Sequence, residues 1–339
     1  MIETRKQAIL RAVVHEFTTS AVPVGSQALQ SRYFVNLSSA TIRSELAELV
    51  DLGYLTQPHT SAGRVPTDSG YRYFVDFLMD VEAIPDRVKT YIADEMRLAP
   101  ADEQGMVERV AMTLAAVTQN ASVASAPQGS LARIKHLDLV SLEPQDVLLI
   151  ILLEGNLLRQ QVVKISHEAT QAQLTKLTVK LNASLGGRSS DEARRHYDDA
   201  PLGLEKELLG CVIAVLDIYE KGSDNLVVHD GVRNLLRQPE FAESSRVHQV
   251  LEVLEETRFL TVLLRQLIGD SDLQIVIGSE NTSDQLKGCA VVLTSYGPSD
   301  RIKGVLGVVG PTRMAYSQTV ARLQAVAHAA SDRMAELGV

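Results

Sequence analysis

The stretch LSSATIRSELAELVDLGYLTQPHTSAGRVPT, residues 37–67, decides the reading of the chain. Ser38 stands where its hydroxyl can accept the free amide protons of a helix's first turn, and Ile42, Leu46, Leu49 and Val50 fall on one side of that helix. Gly53 takes the position that ends it. YLTQP and RVPT then read as two short strands around HTSAG, with Gly63 able to adopt a positive φ at the turn. A capped helix followed at once by a hairpin is the second half of a winged helix-turn-helix, in which the helix enters the major groove of DNA.

The residues before it supply the first half. Over residues 4–18, Ile9, Val13 and Phe17 recur at steps of four beside Leu10 and Val14, which predicts an amphipathic helix. AVPVGS breaks the chain at Pro23, and Gly25 with Ser26 opens a second short helix over 26–33 with Leu29 and Tyr33 as its core contacts. After the hairpin, TDSGYRYFVDFLMDV predicts a capped fourth helix whose inward stripe is Tyr73, Phe77 and Val81, ending before Pro85.

With Ile42, Leu46 and Leu49 turned inward, the third helix presents Ser39, Ala40, Thr41, Arg43 and Ser44. Small residues let a helix approach the groove floor, an arginine bonds a guanine edge or a phosphate, and a helix N-terminus favours phosphate oxygens. His59, Thr60, Ser61, Gly63 and Arg64 make the wing, with Arg64 against backbone or minor groove. The same pattern also serves as a protein-docking module. Residues 1–80 carry seven basic and eight acidic side chains, so one copy binds weakly and two are expected on one operator. Glu45, Glu48 and Asp51 lie toward the far end of the helix.

Composition restricts the alternatives. The 339 residues are 45% hydrophobic and 22% charged, enough for two or three globular domains. Net charge is -9, so any DNA site is local, and with 4% aromatic residues and no Trp, stacking platforms for single strands are scarce. Cys211 and Cys289 sit in apolar runs, as buried thiols do in a reducing cytoplasm. The N-terminus lacks an apolar leader and no membrane-spanning run occurs.

Beyond residue 84, residues 86–125 read as two helices, over 88–97 and 104–120, separated by LAPADE. RIKHLDLVSL, DVLLIILLEG and LLRQQVVKIS follow as three β segments, then a helix over 170–185 that stops at Gly186 and Gly187. A second β set, LQIVIGSE, CAVVLTSY and RIKGVLGVVG, precedes a terminal helix over 316–337. Between the sets lie LEKELLGCVIAVLDIYEK, a short NLVVHD strand and a helix over 244–267; ARRHYDD, residues 193–199, reads as a solvated entry to this region. Strands, helices and strands again predict one α/β domain with an insertion, whose apolar stripes need a surface such as a partner subunit.

Chemistry is sparse. Gly304, Gly307 and Gly310 recur every third residue, but neither a P-loop nor a dinucleotide motif stands there, and the glycines fit a closely packed strand. No H-E-x-x-H, C-x-x-C or G-x-S-x-G spacing occurs. No metal, cofactor or catalytic residue is expected. A ligand sensor and an enzyme acting through the glycine strand stay as rivals.

LSSATIR, QPHTSAGR and TDSGYRYFVDFLM in the first part, with IGSEN, CAVVLTSY and GVVGPTRMAYSQTV in the last, resemble the heat-inducible transcription repressor HrcA family, and only residues 188–269 match loosely. The resemblance implies an α+β multidomain chain: an N-terminal winged helix-turn-helix (1–84), a GAF-like α/β domain in two parts (85–187 and 270–339), and an inserted, mostly helical dimerisation domain (188–269). It implies a cytoplasmic homodimer that represses chaperone operons at the inverted-repeat operator CIRCE in double-stranded DNA, is released on heat stress, and depends on the GroEL chaperonin. Carried over motif by motif, Ser38, Ser39, Thr41 and Arg43 face DNA, with His59, Thr60, Ser61, Gly63 and Arg64 in the wing.

Overall fold

The computed structural model describes residues 2–59, 62–129, 133–154, 158–221, 226–241, 250, 252–253, 273–299 and 302–337. Thr60 and Ser61 of the hairpin, and all but three positions of the helix expected over 244–267, lie outside the described residues. The chain is α+β, with several sheets.

The N-terminal unit forms locally. Helix α1 (Thr4–Ser20) buries Ile9, Leu10, Val13 and Val14 and stops where Ala21 takes a φ of 55°. After α2 (Ser26–Arg32), α3 (Ser39–Asp51) starts at Ser38, whose Oγ accepts the Thr41 N–H at 3.0 Å. Strands β1 (Leu55–Thr56) and β2 (Val65–Pro66) pair antiparallel. Val24 adds a bridge to Arg64 through two backbone hydrogen bonds, of 2.9 and 2.8 Å. Leu29 is buried as expected, but Tyr33 is 39% exposed and its hydroxyl bonds Glu16 instead of entering the core.

The fourth helix departs from its expected stripe. α4 (Asp68–Tyr73) widens into a π turn (Phe74–Leu78), and Met79 is already extended. The wider turn rotates the face, so Tyr71, Tyr73, Phe74 and Leu78 are buried while Phe77 is 61% exposed, and Val81, beyond the end of the helix, is 55% exposed.

Helices α5 (Asp86–Arg97) and α6 (Glu103–Thr118) lead into β3 (Ala121–Ser125), a strand inside the region expected to be helical. β3 and the short β4 (Gln128–Gly129) both pair with a strand far downstream.

The next three strands, β5 (Ile134–Ser141), β6 (Asp146–Leu153) and β7 (Leu158–Lys164), make their own antiparallel sheet. One core joins them to α7 (Gln171–Leu185), α8 (Ser190–Asp199) and α9 (Leu204–Lys221). The expected cut between 187 and 188 therefore runs through a single core, with Leu181 and Leu185 on one side of it and Ala193, Leu208 and Val212 on the other. ARRHYDD is largely solvent-exposed, as expected, but it is part of α8, opened by a capping box of Ser189 and Glu192, and Ala193 is buried.

The remaining strands, β8 (Val227–Asp230), β9 (Leu273–Ile277), β10 (Cys289–Ser299) and β11 (Ile302–Pro311), return to β3 in the order β8-β3-β11-β10-β9, all antiparallel. The short α10 (Val232–Leu236) follows β8, and α11 (Tyr316–Leu337) closes the chain. Both faces of this sheet are covered. Ala290, Val292 and Tyr296 share a core with α6, α11 and the N-terminal helices, while Cys289, Val291 and Leu293 face Leu235 and Phe241. The glycine strand allows this closeness: a Cβ on Gly304 would stand 2.5 Å from the Ser125 carbonyl oxygen. No helix among the described residues is long and apolar enough to cross a membrane.

Candidate nucleic-acid interface

α3 turns Ile42, Leu46 and Leu49 into the core, and this leaves Ala40, Arg43, Ser44 and Ala47 exposed along one side. Every one of those residues except Arg43 is small. Ala47 continues the stripe one turn beyond Arg43, and the sequence reading passed over it although helical spacing places it there. The hydroxyls at the start of the helix are largely engaged. Ser38 caps the first turn and meets Thr41 Oγ1 at 2.8 Å, and Ser39 Oγ lies 2.9 Å from Ser26 Oγ, which ties the starts of α2 and α3 together. Ser39 and Thr41 are half-buried, so they offer DNA less than Arg43 and Ser44 do.

The hairpin closes a cleft of about 490 Å³ against this helix, lined by Gly25, Gln27, Arg43, Gln57, Gly63 and Arg64 among others. Arg43 has no hydrogen-bond or ion-pair partner among the described residues. Among the described residues the Arg64 side chain bonds only the Ala62 carbonyl, at 3.4 Å, and its buried Nε has no partner there. Two guanidinium groups 21 residues apart in sequence thus border one concavity. Gln27 and Gln57 were not foreseen; Gln57 Nε2 holds the Ala62 carbonyl at 3.1 Å and so shapes the hairpin. His59 is exposed.

Gly63 is required by close approach and not by the positive φ expected of it, which it does not adopt. A Cβ there would stand 2.5 Å from the Val24 carbonyl carbon and 2.6 Å from that of Pro23. The returning strand is pressed on the turn before α2, and a side chain at this position would push the hairpin away from α3.

The acidic residues of α3 are held away from the cleft. Glu45 is 6% exposed and pairs with Lys6 Nζ at 3.2 Å and Arg5 at 3.4 Å, while Lys6 also meets Glu48 at 3.0 Å. Bonds to Glu48 and then Glu45 push the Lys6 ammonium above its ordinary range. The near-zero charge of the N-terminal unit is therefore unevenly spread: paired acids line the α1 side, and Arg43 and Arg64, with no acidic partner among the described residues, line the cleft.

Mixed helices and antiparallel sheets of this layout occur in a solved structure described as a hypothetical protein, with a TM-score of 0.64, 21% identity, and coverage of 99% of this chain and all of the other. That likeness concerns the fold alone. The family described as HrcA protein C terminal domain matches residues 104–320. A heat-inducible transcription repressor HrcA of Roseiflexus castenholzii is 34% identical over 98% of this chain and 94% of its own length. The repressor of the same name from Acidothermus cellulolyticus is 37% identical over 99% of this chain and its own full length. The chain belongs to the HrcA family, a family of transcription repressors and not of enzymes.

Proposed function

We propose that residues 1–84 form a winged helix-turn-helix that reads duplex DNA, with α3 as the probe and the β1–β2 hairpin as the wing. In this reading Ala40, Arg43 and Ser44 approach base edges, while Ser38, Ser39, Thr41, His59, Thr60, Ser61, Gly63 and Arg64 serve the backbone or hold the two elements in place. The observation that carries it is that Arg43, without a partner among the described residues, and Arg64, whose side chain bonds only the Ala62 carbonyl among them, border one cleft beside a small-residue helix face. The operator is the inverted repeat CIRCE ahead of chaperone operons, and heat releases the repressor. These points, the cytoplasmic setting and the dependence on the GroEL chaperonin follow from family resemblance.

The protein acts as a homodimer. Support comes from the second sheet, where Leu148, Ile150 and Leu152 of β6 point away from the core and are only half-buried. Their cross-strand neighbours Leu158 and Val162 on β7 are 56% and 55% exposed. A large apolar face on a sheet calls for a partner. The unit that bears it covers residues 134–221. The GAF-like domain then consists of residues 85–129 and 226–339, a division drawn from the strand pairing in place of the cuts at 187 and 269.

The test is an operator titration. Arg43→Ala should cost about 1 to 3 kcal/mol and relax base preference, whereas Arg64→Ala should weaken all sequences alike and reduce the salt slope by about one. Wild-type binding by both variants would remove the contact assignment.

A further inference from the structure

Resting on the DNA-reading and homodimer assignments above, we propose that Asp68 and Arg72 are positioning residues: bonded to the 275–281 turn, they fix the angle of each reader and so set the operator spacing the dimer accepts. Arg72 Nε donates to Glu280 Oε1 at 2.8 Å, and Nη2 donates to Glu280 Oε2 and to the Ile275 carbonyl, both at 2.5 Å. A planar guanidinium held at these three acceptors and, through Nη1, at Asp76 Oδ1 at 3.2 Å permits one orientation, which an ammonium would not impose. Asp68 Oδ2 accepts the Ser279 N–H at 2.8 Å, and Glu280 also accepts the Ile277 N–H at 2.8 Å, so the turn itself is braced.

Further contacts hold the same seam. The rings of Tyr71 and Tyr316 lie 5.9 Å apart, and both residues are buried. Arg313, bonded to Glu240 and Gln238, donates to the Thr18 carbonyl near the end of α1 at 3.0 Å. The reader side is equally stiff. Thr67, which caps α4, donates its backbone N–H to the Tyr54 carbonyl at 3.1 Å and its hydroxyl to the Gly53 carbonyl at 2.6 Å. Gly53 and Tyr54 follow the end of α3, so a short bonded path joins the probe helix to Glu280. None of these clamp residues lines the Arg43–Arg64 cleft.

Two rigidly mounted readers engage both half-sites only when these are correctly phased; loosely mounted readers tolerate wrong phasing. Full-length protein is titrated against three duplexes: the inverted repeat, the repeat with about five base pairs inserted, half a helical turn, and a single half-site. Wild type should prefer the first over the second by about tenfold or more. In Arg72→Ala and in Glu280→Gln that ratio should fall toward one, with half-site affinity unchanged. A role in folding alone would lower the melting temperature and leave the ratio, and this outcome overturns the proposal. So does a wild type indifferent to spacing, or a half-site affinity that falls in step with the ratio. A wild type that binds no duplex would instead sink the DNA reading on which the proposal rests. Glu280→Gln, which keeps the side chain's size, carries the test if Arg72→Ala does not fold.

Discussion

The two sheets of this protein are built alike and finished differently. In the larger sheet, neighbouring residues of β10 alternate between two cores, with Val292 packed toward α6 and α11 and Val291 toward Leu235 and Phe241. In the smaller sheet β6 alternates between a core and an open face: Val147, Leu149, Ile151 and Leu153 are buried, whereas Leu148, Ile150 and Leu152 are only half-buried. β6 is apolar at every position after Asp146, and β10 is apolar over its first five residues, 289–293. An apolar run therefore marks a strand with two hydrophobic faces, and it leaves undecided whether the second face is covered by the same chain or by another.

This contrast can be broken by substitution. The largest effect is expected inside the small sheet's own core, where Leu149→Ala should cost about 2 to 5 kcal/mol in urea unfolding, through lost burial and a residual cavity. One residue away on the opposite face, Ile150→Asp should leave monomer stability nearly unchanged. It should raise the dimer dissociation constant about 30-fold, the effect of losing about 2 kcal/mol at an interface centre, as read by sedimentation. A dimer indifferent to Ile150→Asp would mean that the open face is not where the copies meet.

The smallest effect sharpens how the small sheet is tied to its helices. Glu207 of α9 accepts the Ser166 N–H at 2.6 Å and the Ser166 hydroxyl at 2.8 Å, just beyond β7. Burial alone would raise its carboxyl, but these bonds and the His167 ring hold it below the ordinary range. A carboxyl with a depressed folded pKa stabilises fully above its unfolded value of about 4.3 and loses that contribution as pH falls through the folded value. The stability gap between wild type and Glu207→Gln should thus be widest at neutral pH and close below about pH 4. Its size is a fraction of a kcal/mol, since solvent reaches the site. A gap constant with pH would contradict the assignment.

What the sequence made legible was local. Ser38, Gly53 and the spacing of Ile42, Leu46 and Leu49 define α3 within 16 residues, and the capping and burial seen in the structure match them. The failures came from distance and from exceptions to period. ASVAS is too short and too small-residued to announce a strand, yet β3 becomes central because β11, nearly 200 residues later, pairs with it. β5–β7 and β9–β11 look alike as strings, so their separation into two sheets could not be read from either. A π turn moved Phe77 outward and the helix ended before Val81, and no local pattern marks either. For the candidate site, Arg43 and Arg64 were legible from helix and hairpin, while the Lys6–Glu45 pairing that clears acid from the cleft depends on α1 crossing α3. The tie from Arg72 to Glu280 spans 208 positions and could not be seen without the fold.

The most direct measurement is a hydroxyl-radical footprint of the full-length protein on the chaperonin promoter. The account predicts two protected patches on the inverted repeat, separated by a whole number of helical turns of about 34 Å each, with the protection weakened in Arg43→Ala. A single patch, or protection that survives Arg43→Ala unchanged, would contradict it.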